Sequence, residues 1–477
     1  MQKILAGFSL IACLAGCSAP DAKVAVAPVS AEALGLQGAA PPLVDAAWWT
    51  MFGDSQLDRV MKDALSASPR LDEALARIRE ARAFLESSRA EQMPQISADA
   101  SEQRTRLSER YIIPPPYGGS TQWQGQAQAN LGWNLDLFGR QADAVRGARA
   151  SLRAAALDYD AARLALSGAV VQTYIELVRS ERLIAVAKAN TEQREQSLGL
   201  VQTRIRSKLS SEMDARAAET LLAQSRQAVV RAEGQRVLLV HALALLAGRG
   251  ADYYPTILPA SLRLDAMPPV PQTLPADLLS RRPDVLSAQA RIESAEAGRS
   301  VARKAFYPNI NLNALVGTQA LGLGNLFSTD AGTYGAGAAI HLPIFEGGKL
   351  RADHEAATAR LDQAIAAYNG AVLGAVRESA DALANLDTAK ADLAHQREIV
   401  RGLSDVSRLN RVRVASGLDS RQELVGADIR LLQAQQDEAN LEAQAALSNV
   451  QLLVAIGGGY RPAADGLPTP GPSTGIQ

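Results

Sequence analysis

Residues 122–136 alternate between polar and apolar side chains with almost no interruption, and this alternation constrains the fold more than any other stretch. The odd positions, from Trp123 to Leu135, carry Trp, Gly, Ala or Leu, whereas the even positions carry Gln, Asn, Gly or Asp. Successive side chains of a strand point to opposite faces, so the stretch predicts a strand with one apolar and one polar face. Its length exceeds the soluble strand of about 5–6 residues and suits a membrane strand of about 9–11 residues plus its ends. On this stretch alone, an exposed strand of a soluble β-sandwich remains the alternative.

Length and composition narrow the class of protein. The chain has 477 residues, which predicts two or more structural regions. Its 49 Lys and Arg balance 50 Asp and Glu, so we expect no nucleic-acid partner, which normally requires a basic patch. The low aromatic content, 4%, and the abundance of alanine favour long helices. No stretch beyond the N-terminus has about 18 uninterrupted apolar residues, so no transmembrane helix is predicted.

Both cysteines lie at the N-terminus, where an apolar run from Ile4 to Ala12 predicts a secretory signal peptide, residues 1–16. The sequence from Leu14 to Cys17 resembles the lipobox of bacterial lipoproteins, in which the cysteine becomes the lipidated first residue of the mature chain. Ser18 favours retention at the outer membrane. The lipid on Cys17 is the only covalent group expected, and with Cys13 removed no disulfide can form. Residues 17–44, rich in Ala and Pro, predict an extended tether.

A proline-free stretch from Arg140 to Arg206 predicts a single very long helix. At 1.5 Å per residue it would extend for about 100 Å, whereas helices in globular domains average about 11–12 residues. Its apolar residues follow the three-and-four spacing of a coiled coil up to Leu166, beyond which a stutter predicts local unwinding. The seam begins with Val145, Ala148, Leu152, Ala155, Tyr159 and Ala162.

The chain repeats itself. A shift of 214 residues places Pro69 on Pro283, and a shift of 209 residues places Ser211 on Ser420, with many identical residues between. The repeats, 45–258 and 259–460, each predict a helix, two strands, a long helix, a turn and a returning helix. In the first repeat, a helix from Pro69 to about Gln92 is closed by Pro94, and the strand Gln95–Arg106 follows, in which apolar residues alternate with polar ones such as Asp99. The strands of the two repeats fall at about 95–138 and 309–345, the long hairpins at about 140–247 and 347–457, and a flexible tail at 461–477.

Four antiparallel strands per chain cannot close a barrel, and a membrane does not tolerate an open sheet edge. The chain is therefore expected to oligomerise. Two copies would give eight strands around a filled interior, whereas three would give 12 strands around a lumen. A polar strand face favours the trimer, and the residues expected to face the lumen are Gln122, Gln124, Gln126, Gln128, Asn309, Asn311 and Asn313.

Several motifs resemble the outer-membrane efflux factors of the TolC/OprM type, and more specifically their NodT-like lipoprotein branch. They are Trp49 with Phe52-Gly53-Asp54 and Leu57, the run Leu278–Val285, Phe306-Tyr307-Pro308, and Leu342–Gly348. The resemblance implies an α+β membrane protein, a homotrimeric 12-stranded β-barrel in outer-membrane lipid, continuous with a helical tunnel in the periplasm. It also implies a periplasmic membrane-fusion adaptor and an inner-membrane pump of the RND type, which expel drugs or other small solutes.

The resemblance assigns adaptor docking to the two helix-turn-helix tips. The matching residues are Arg204, Ser207, Leu209, Ser211, Arg413, Ser416, Gly417, Leu418 and Ser420. A plain helix cap is the alternative, because Ser, Gly and Asp are ordinary turn formers.

The family commonly closes its aperture with an Asp and an Arg after the second tip, but neither stands in its usual place here. Asp428 and Arg430 are the candidate replacements for this pair. A solvated charge pair is the alternative, since one residue rotates a helical side chain by about 100°.

No catalytic or metal-binding constellation is visible. The four histidines lack the spacing that a zinc site requires, so we expect neither an enzyme nor a metal protein, and a passive duct must take its energy from a partner. Two other functions remain open at this point. One is the outer-membrane duct of a type I protein secretion system, and the other is a non-conducting structural lipoprotein of the envelope.

Overall fold

The computed structural model describes residues 22–30, 34, 45–110, 112–260, 262–264, 270 and 278–460. The predicted signal peptide, Cys17, most of the tether and the predicted tail lie outside these residues. Within them the protein is mostly helical with one small sheet. None of the helices in these ranges combines the length and the apolar character needed to cross a bilayer.

The elements follow the predicted order. In chain order they are α1 (Ser55–Ala67), α2 (Pro69–Ala90), β1 (Gln95–Arg106), β2 (Thr121–Asn134), α3 (Arg140–Arg206), α4 (Glu212–Leu246), α5 (Leu278–Arg281), α6 (Pro283–Lys304), β3 (Asn309–Leu321), β4 (Gly332–His341), α7 (Lys349–Ala415) and α8 (Arg421–Ala455). Helices α3 and α7 have 67 residues each, α4 and α8 have 35 each, and α2 and α6 have 22 each. The predicted bounds of α3 and β1 are confirmed.

Two of the predicted element ends, those of α2 and β2, lie two residues beyond the observed ends. Helix α2 ends at Ala90 rather than Gln92, because Pro94 disfavours the helical conformation of the residue before it. The Gln95 side chain donates to the free Ala90 carbonyl at 2.8 Å. Strand β2 ends at Asn134 rather than Asp136, because Asp136 adopts a φ of 45° and begins the turn into α3.

The four strands form a single antiparallel sheet in the order β1-β2-β3-β4. The central pair, β2 and β3, joins the strands of the first half of the chain to those of the second. Strands β1 and β4 are the two edges of this sheet.

The chain divides into two compact units. Of the described residues, one unit contains the sheet and comprises those within 22–28, 77–155 and 288–368, and the other comprises those within 29–76, 156–287 and 369–460. The units therefore do not coincide with the predicted repeats. Each 67-residue helix contributes to both units, because at about 100 Å it is longer than one compact core.

The second unit has the larger apolar core, centred on Trp48, Leu57 and Tyr174, all fully buried. Asp54 of the Phe-Gly-Asp motif caps α1 by accepting from the backbone N–H groups of Gln56 and Leu57 at 2.8 and 3.0 Å. The Tyr174 hydroxyl donates to the same carboxylate at 2.9 Å. Burial raises the pKa of Tyr174 well above its ordinary value, so this hydroxyl remains a donor. Asp54 therefore joins the start of α1 to Tyr174 of α3 by hydrogen bonds.

Two glycines allow an unusually close backbone contact in this unit. Gly248 follows α4 with a φ of +65°, and a Cβ there would stand 2.1 Å from the carbonyl oxygen of Ala67. Gly457 follows α8 with a φ of +101°, and its Cβ would stand 2.2 Å from the carbonyl oxygen of Arg281. Both contacts are too short for any side chain.

An extended N-terminal strap, residues 22–28, lies against α6 and α7 in the first unit. The N–H groups of Ala25 and Val26 donate to one oxygen of Asp362 at 2.9 and 3.1 Å. Arg299 donates to the Ala22 carbonyl at 2.6 Å. Val26 also packs on an apolar cluster of α6 and α7. The strap is therefore held by polar and apolar contacts together.

Replacing Asp362 with alanine is expected to release the strap. Removing a charged acceptor from two N–H groups weakens the local structure by about 2 kcal/mol, so trypsin is expected to cut after the exposed Lys23 roughly thirtyfold faster. Mass spectrometry of timed digests measures the rate. Asp362→Asn retains a carbonyl acceptor at the same place and is the control. Equal cleavage in wild type and Asp362→Ala would show that the carboxylate does not hold the strap.

Candidate functional site

The even positions of β2 belong to a hydrogen-bonded polar face of the sheet. The Asn130 amide donates to Asp99 of β1 at 2.7 Å, and the Gln128 amide donates to Asn130 at 3.1 Å. Further along the pair of strands, Gln103 donates to Gln124 at 3.3 Å. Two of these bonds join β1 to β2 and one lies within β2, all on the same side of the sheet.

The residues predicted to face the lumen all lie on this polar face. The register of β2 and β3 places Asn311 opposite Asn134 and Asn313 opposite Gly132. Asn309 follows on the same side, because side chains alternate along a strand. The set is Gln122, Gln124, Gln126, Gln128, Asn309, Asn311 and Asn313. Its orientation toward a lumen stays a prediction.

The opposite face of the sheet is apolar and largely uncovered in the single chain. Ile96, Val316, Tyr334 and Ile340 are strongly exposed there, Tyr334 at 88%. The guanidinium of Arg104 lies 5.7 Å from the centre of the Trp123 ring on the same face. Soluble monomers rarely expose so large an apolar surface, which favours contact with lipid over the soluble-sandwich alternative.

An ion pair ties the start of α3 to the end of α6 in the sheet-containing unit. Lys304 lies 2.7 Å from the nearly buried carboxylate of Asp143, and the Ser300 hydroxyl donates to the same group. Burial alone would raise the pKa of Asp143, but the hydrogen bonds from Lys304 and Ser300 outweigh burial and lower it. The carboxylate therefore stays charged and holds the two helix ends together.

At the first hairpin tip, the side chains of Arg204 and Ser211 make hydrogen bonds within the turn, whereas the side chain of Leu209 makes none. Arg204 donates to the Ser210 hydroxyl at 3.2 Å, and Ser211 caps α4 by accepting from the Asp214 N–H. Lys208 adopts a left-handed φ of 58°, which lets the Leu209 N–H donate to the Arg204 carbonyl at 2.8 Å. The side chain of Leu209 is 68% exposed.

The second tip repeats this arrangement. Arg413 donates to Asp419 at 3.1 Å, and Ser420 caps α8 by accepting from the Glu423 N–H. Gly417 supplies the left-handed residue with a φ of 71°, and Leu418 is 70% exposed. The arginines and the cap serines therefore build the turns, as the alternative interpretation expected. The side chains of the two leucines play no part in capping, although their N–H groups donate to the Arg204 and Arg413 carbonyls. Ser207 and Ser416 are exposed within the turns.

Asp428 and Arg430 do not lie together. Asp428 accepts from the Ser407 hydroxyl and lies 3.7 Å from Arg411, and both partners are on α7 of the same chain. Arg430 is exposed. Asp428 thus joins the two helices of the second hairpin, and its role at an aperture stays a prediction.

In the described ranges no group of three or more His, Cys, Asp and Glu residues is placed to hold a metal ion. His354 is buried beside Phe306, whereas His341 ends β4 opposite Asn309 on the polar face.

Known proteins resemble this chain over nearly its whole length. A sequence profile described as OEP, outer membrane efflux protein, matches residues 60–249 and 274–458. A protein of Pseudomonas putida, the solvent efflux pump outer membrane protein SrpC, is 33% identical over 473 residues, covering 96% of this chain and 98% of that protein. The outer membrane protein OprJ of Pseudomonas aeruginosa is 31% identical over 466 residues, covering 94% of each.

Solved structures share the fold. The outer membrane protein VceC of Vibrio cholerae superposes with a TM-score of 0.77 at 28% identity, covering 87% of this chain and 98% of that one. The CmeC outer membrane channel of Campylobacter jejuni has a TM-score of 0.83 at 22% identity, covering 94% of this chain and 96% of that one. The second likeness concerns the fold alone.

Proposed function

The chain belongs to the outer membrane efflux protein family, and from this premise we propose how its sheet and helices form the conduit. It is an outer-membrane channel component of an efflux system, with its helical tunnel in the periplasm. The family consists of channels rather than enzymes. We propose the number of chains in the barrel, the partner proteins and the cargo.

Three copies of the chain close a 12-stranded barrel. The observation that carries this is the sheet itself, which has one polar face, one exposed apolar face and two edge strands, β1 and β4. A membrane barrel needs every edge paired, and four strands per copy reach a lumen-forming size with three copies. The apolar face then contacts lipid, and the glutamines and asparagines line the lumen.

The chain arose as an internal duplication. Equal helix lengths, repeated offsets and the two close glycine contacts after α4 and α8 support this. Three copies would then supply 12 helices from α3, α4, α7 and α8, in keeping with the trimeric tunnel that the family resemblance implies.

The tips dock on a periplasmic adaptor, and an inner-membrane pump of the RND type supplies the energy. The support is the pair of exposed leucine side chains, Leu209 and Leu418, which stand on equivalent turns and make none of the side-chain hydrogen bonds that cap them. A role for Asp428 and Arg430 in closing the aperture would require Asp428 to exchange Ser407 and Arg411, its partners within the hairpin, for contacts between chains.

Cys17 carries a lipid that adds a second attachment to the outer membrane. Small organic solutes are the proposed cargo, because a relative that is 33% identical is described as part of a solvent efflux pump.

Neighbouring cysteine substitutions in β2 test the barrel. A membrane-impermeant thiol reagent added to intact cells is expected to label Gln126→Cys at least tenfold faster than Ala127→Cys, because adjacent strand positions face opposite sides. Labelling of the introduced cysteine is readily distinguished, since the only cysteines in the sequence are Cys13 and Cys17. Light scattering of the purified protein in detergent should give three copies per particle. Equal labelling at both positions, or a monomer, would overturn the proposal.

A further inference from the structure

Asp99 is the only Asp, Glu, Lys or Arg side chain on the polar face of the described strands. The register pairs Asp99 with Gln128 of β2, Gln128 with Gly317 of β3, and Gly317 with Thr333 of β4. The other polar-face positions carry Gln, Asn, Ser, Thr, Gly, Ala or Leu, apart from His341 at the end of β4. No lysine or arginine of the described strands shares this face.

The remaining charges of β1 lie on the opposite side of the sheet. Glu102 pairs with Gly125, and Arg104 pairs with Trp123, both odd positions of β2. Arg106 follows on the same side. The sheet therefore separates its charges by face, leaving a single acid on the polar side and both signs on the apolar side near the ends of the strands.

The carboxylate of Asp99 is held in a defined position but is not neutralised. Asn130 donates to it at 2.7 Å and Ser97 at 3.3 Å, and both donors are uncharged. Asp99 itself is exposed. In the same row β3 carries Gly317, where a Cβ would stand 2.3 Å from the Ala127 carbonyl oxygen, so β3 places no side chain at this level.

We infer that Asp99 makes the barrel segment of the conduit select cations over anions. The inference rests on the proposed trimer, in which three Asp99 carboxylates form one ring at one level of the lumen. Rings of acidic side chains select cations in channels, and a passage with low-dielectric walls focuses their field and raises the local cation concentration at least about tenfold. Cationic solutes would pass this ring readily, and anionic solutes would be held back.

A thiol at the neighbouring position reports the local field. Gln128→Cys lies opposite Asp99 on the same face. A cationic and an anionic methanethiosulfonate of similar size are added separately to intact cells. The rate at which each labels the cysteine reports the local concentration of that ion beside the ring. The rate ratio, cation over anion, is expected to be about tenfold above that of a free thiol in solution. Adding Asp99→Asn should bring the ratio close to the free-thiol value, while Asp99→Glu should preserve it.

Glu102→Gln is the matched control, because it removes an acid from the same strand but from the other face. It is expected to leave the ratio unchanged. A ratio that does not change with Asp99→Asn, or that changes equally with Glu102→Gln, would overturn the inference. Absence of labelling by either reagent at Gln128→Cys would instead contradict the lumen-facing orientation, and with it the proposed barrel. A purely structural role for Asp99 would alter both rates together and leave their ratio constant.

Discussion

Replacing both Leu209 and Leu418 with aspartate is expected to abolish efflux while leaving the channel folded and assembled. The two side chains are 68% and 70% exposed, and neither contributes to the caps that form the turns. Fold stability should therefore be unaffected. Buried contacts at the centre of an interface are commonly worth 2 kcal/mol or more, so each substitution should weaken adaptor binding about thirtyfold.

Drug susceptibility of cells carrying the double variant measures the loss, and the expected result equals that of a deletion strain. Melting temperature and particle mass of the purified protein show whether the channel is intact. The control is Leu→Met at both positions, which retains the apolar surface and a similar volume. Full resistance with aspartate at both tips would show that docking does not depend on the leucines.

The second large effect is expected at the glycines that follow α4 and α8. Gly248→Ala forces a Cβ to within 2.1 Å of the Ala67 carbonyl oxygen and also places a side chain on a residue with a φ of +65°. A positive φ and a backbone clash together should cost about 3 kcal/mol or more. Gly457→Ala faces the same conflict with Arg281, so both variants should lose folded channel.

Gly234→Ala is the control for this pair. Gly234 lies within α4, and a Cβ there would meet no atom within 4 Å, so alanine should stabilise the helix by about 0.5–1 kcal/mol. Thermal unfolding in detergent compares the three variants. A melting temperature for Gly248→Ala equal to that of Gly234→Ala would contradict the close contact.

Local patterns in the sequence were sufficient to predict the helices and strands. The bounds of α3 follow from the absence of proline and a regular apolar spacing, both of which are properties of neighbouring residues. Strand β1 follows from the alternation after Pro94 for the same reason. The internal repeat made each half support the interpretation of the other.

Contacts between distant segments could not be predicted in this way. The strap depends on Asp362, which lies 337 residues from Ala25, and no periodic pattern connects them. The glycines were recognisable as helix ends, but the carbonyl groups that exclude a side chain belong to other helices. At the tips, Arg204 and Leu209 recur equally in both halves, so repetition could not separate the residue that builds the turn from the residue that is exposed. Asp99 lay on a predicted polar face, and its importance emerged only when the register showed that no other charged residue of the strands shares that face.

The two tips share one backbone but differ in charge. Residues 204–210 carry Arg204, Arg206 and Lys208 without an acid, whereas residues 413–419 carry one arginine that pairs with Asp419 at 3.1 Å. Added salt screens attraction between exposed charges over about 10 Å at 0.1 M but leaves apolar contact largely unaffected. An acidic partner surface would therefore bind the first tip less tightly as ionic strength rises, while the apolar contacts of Leu209 and Leu418 would persist.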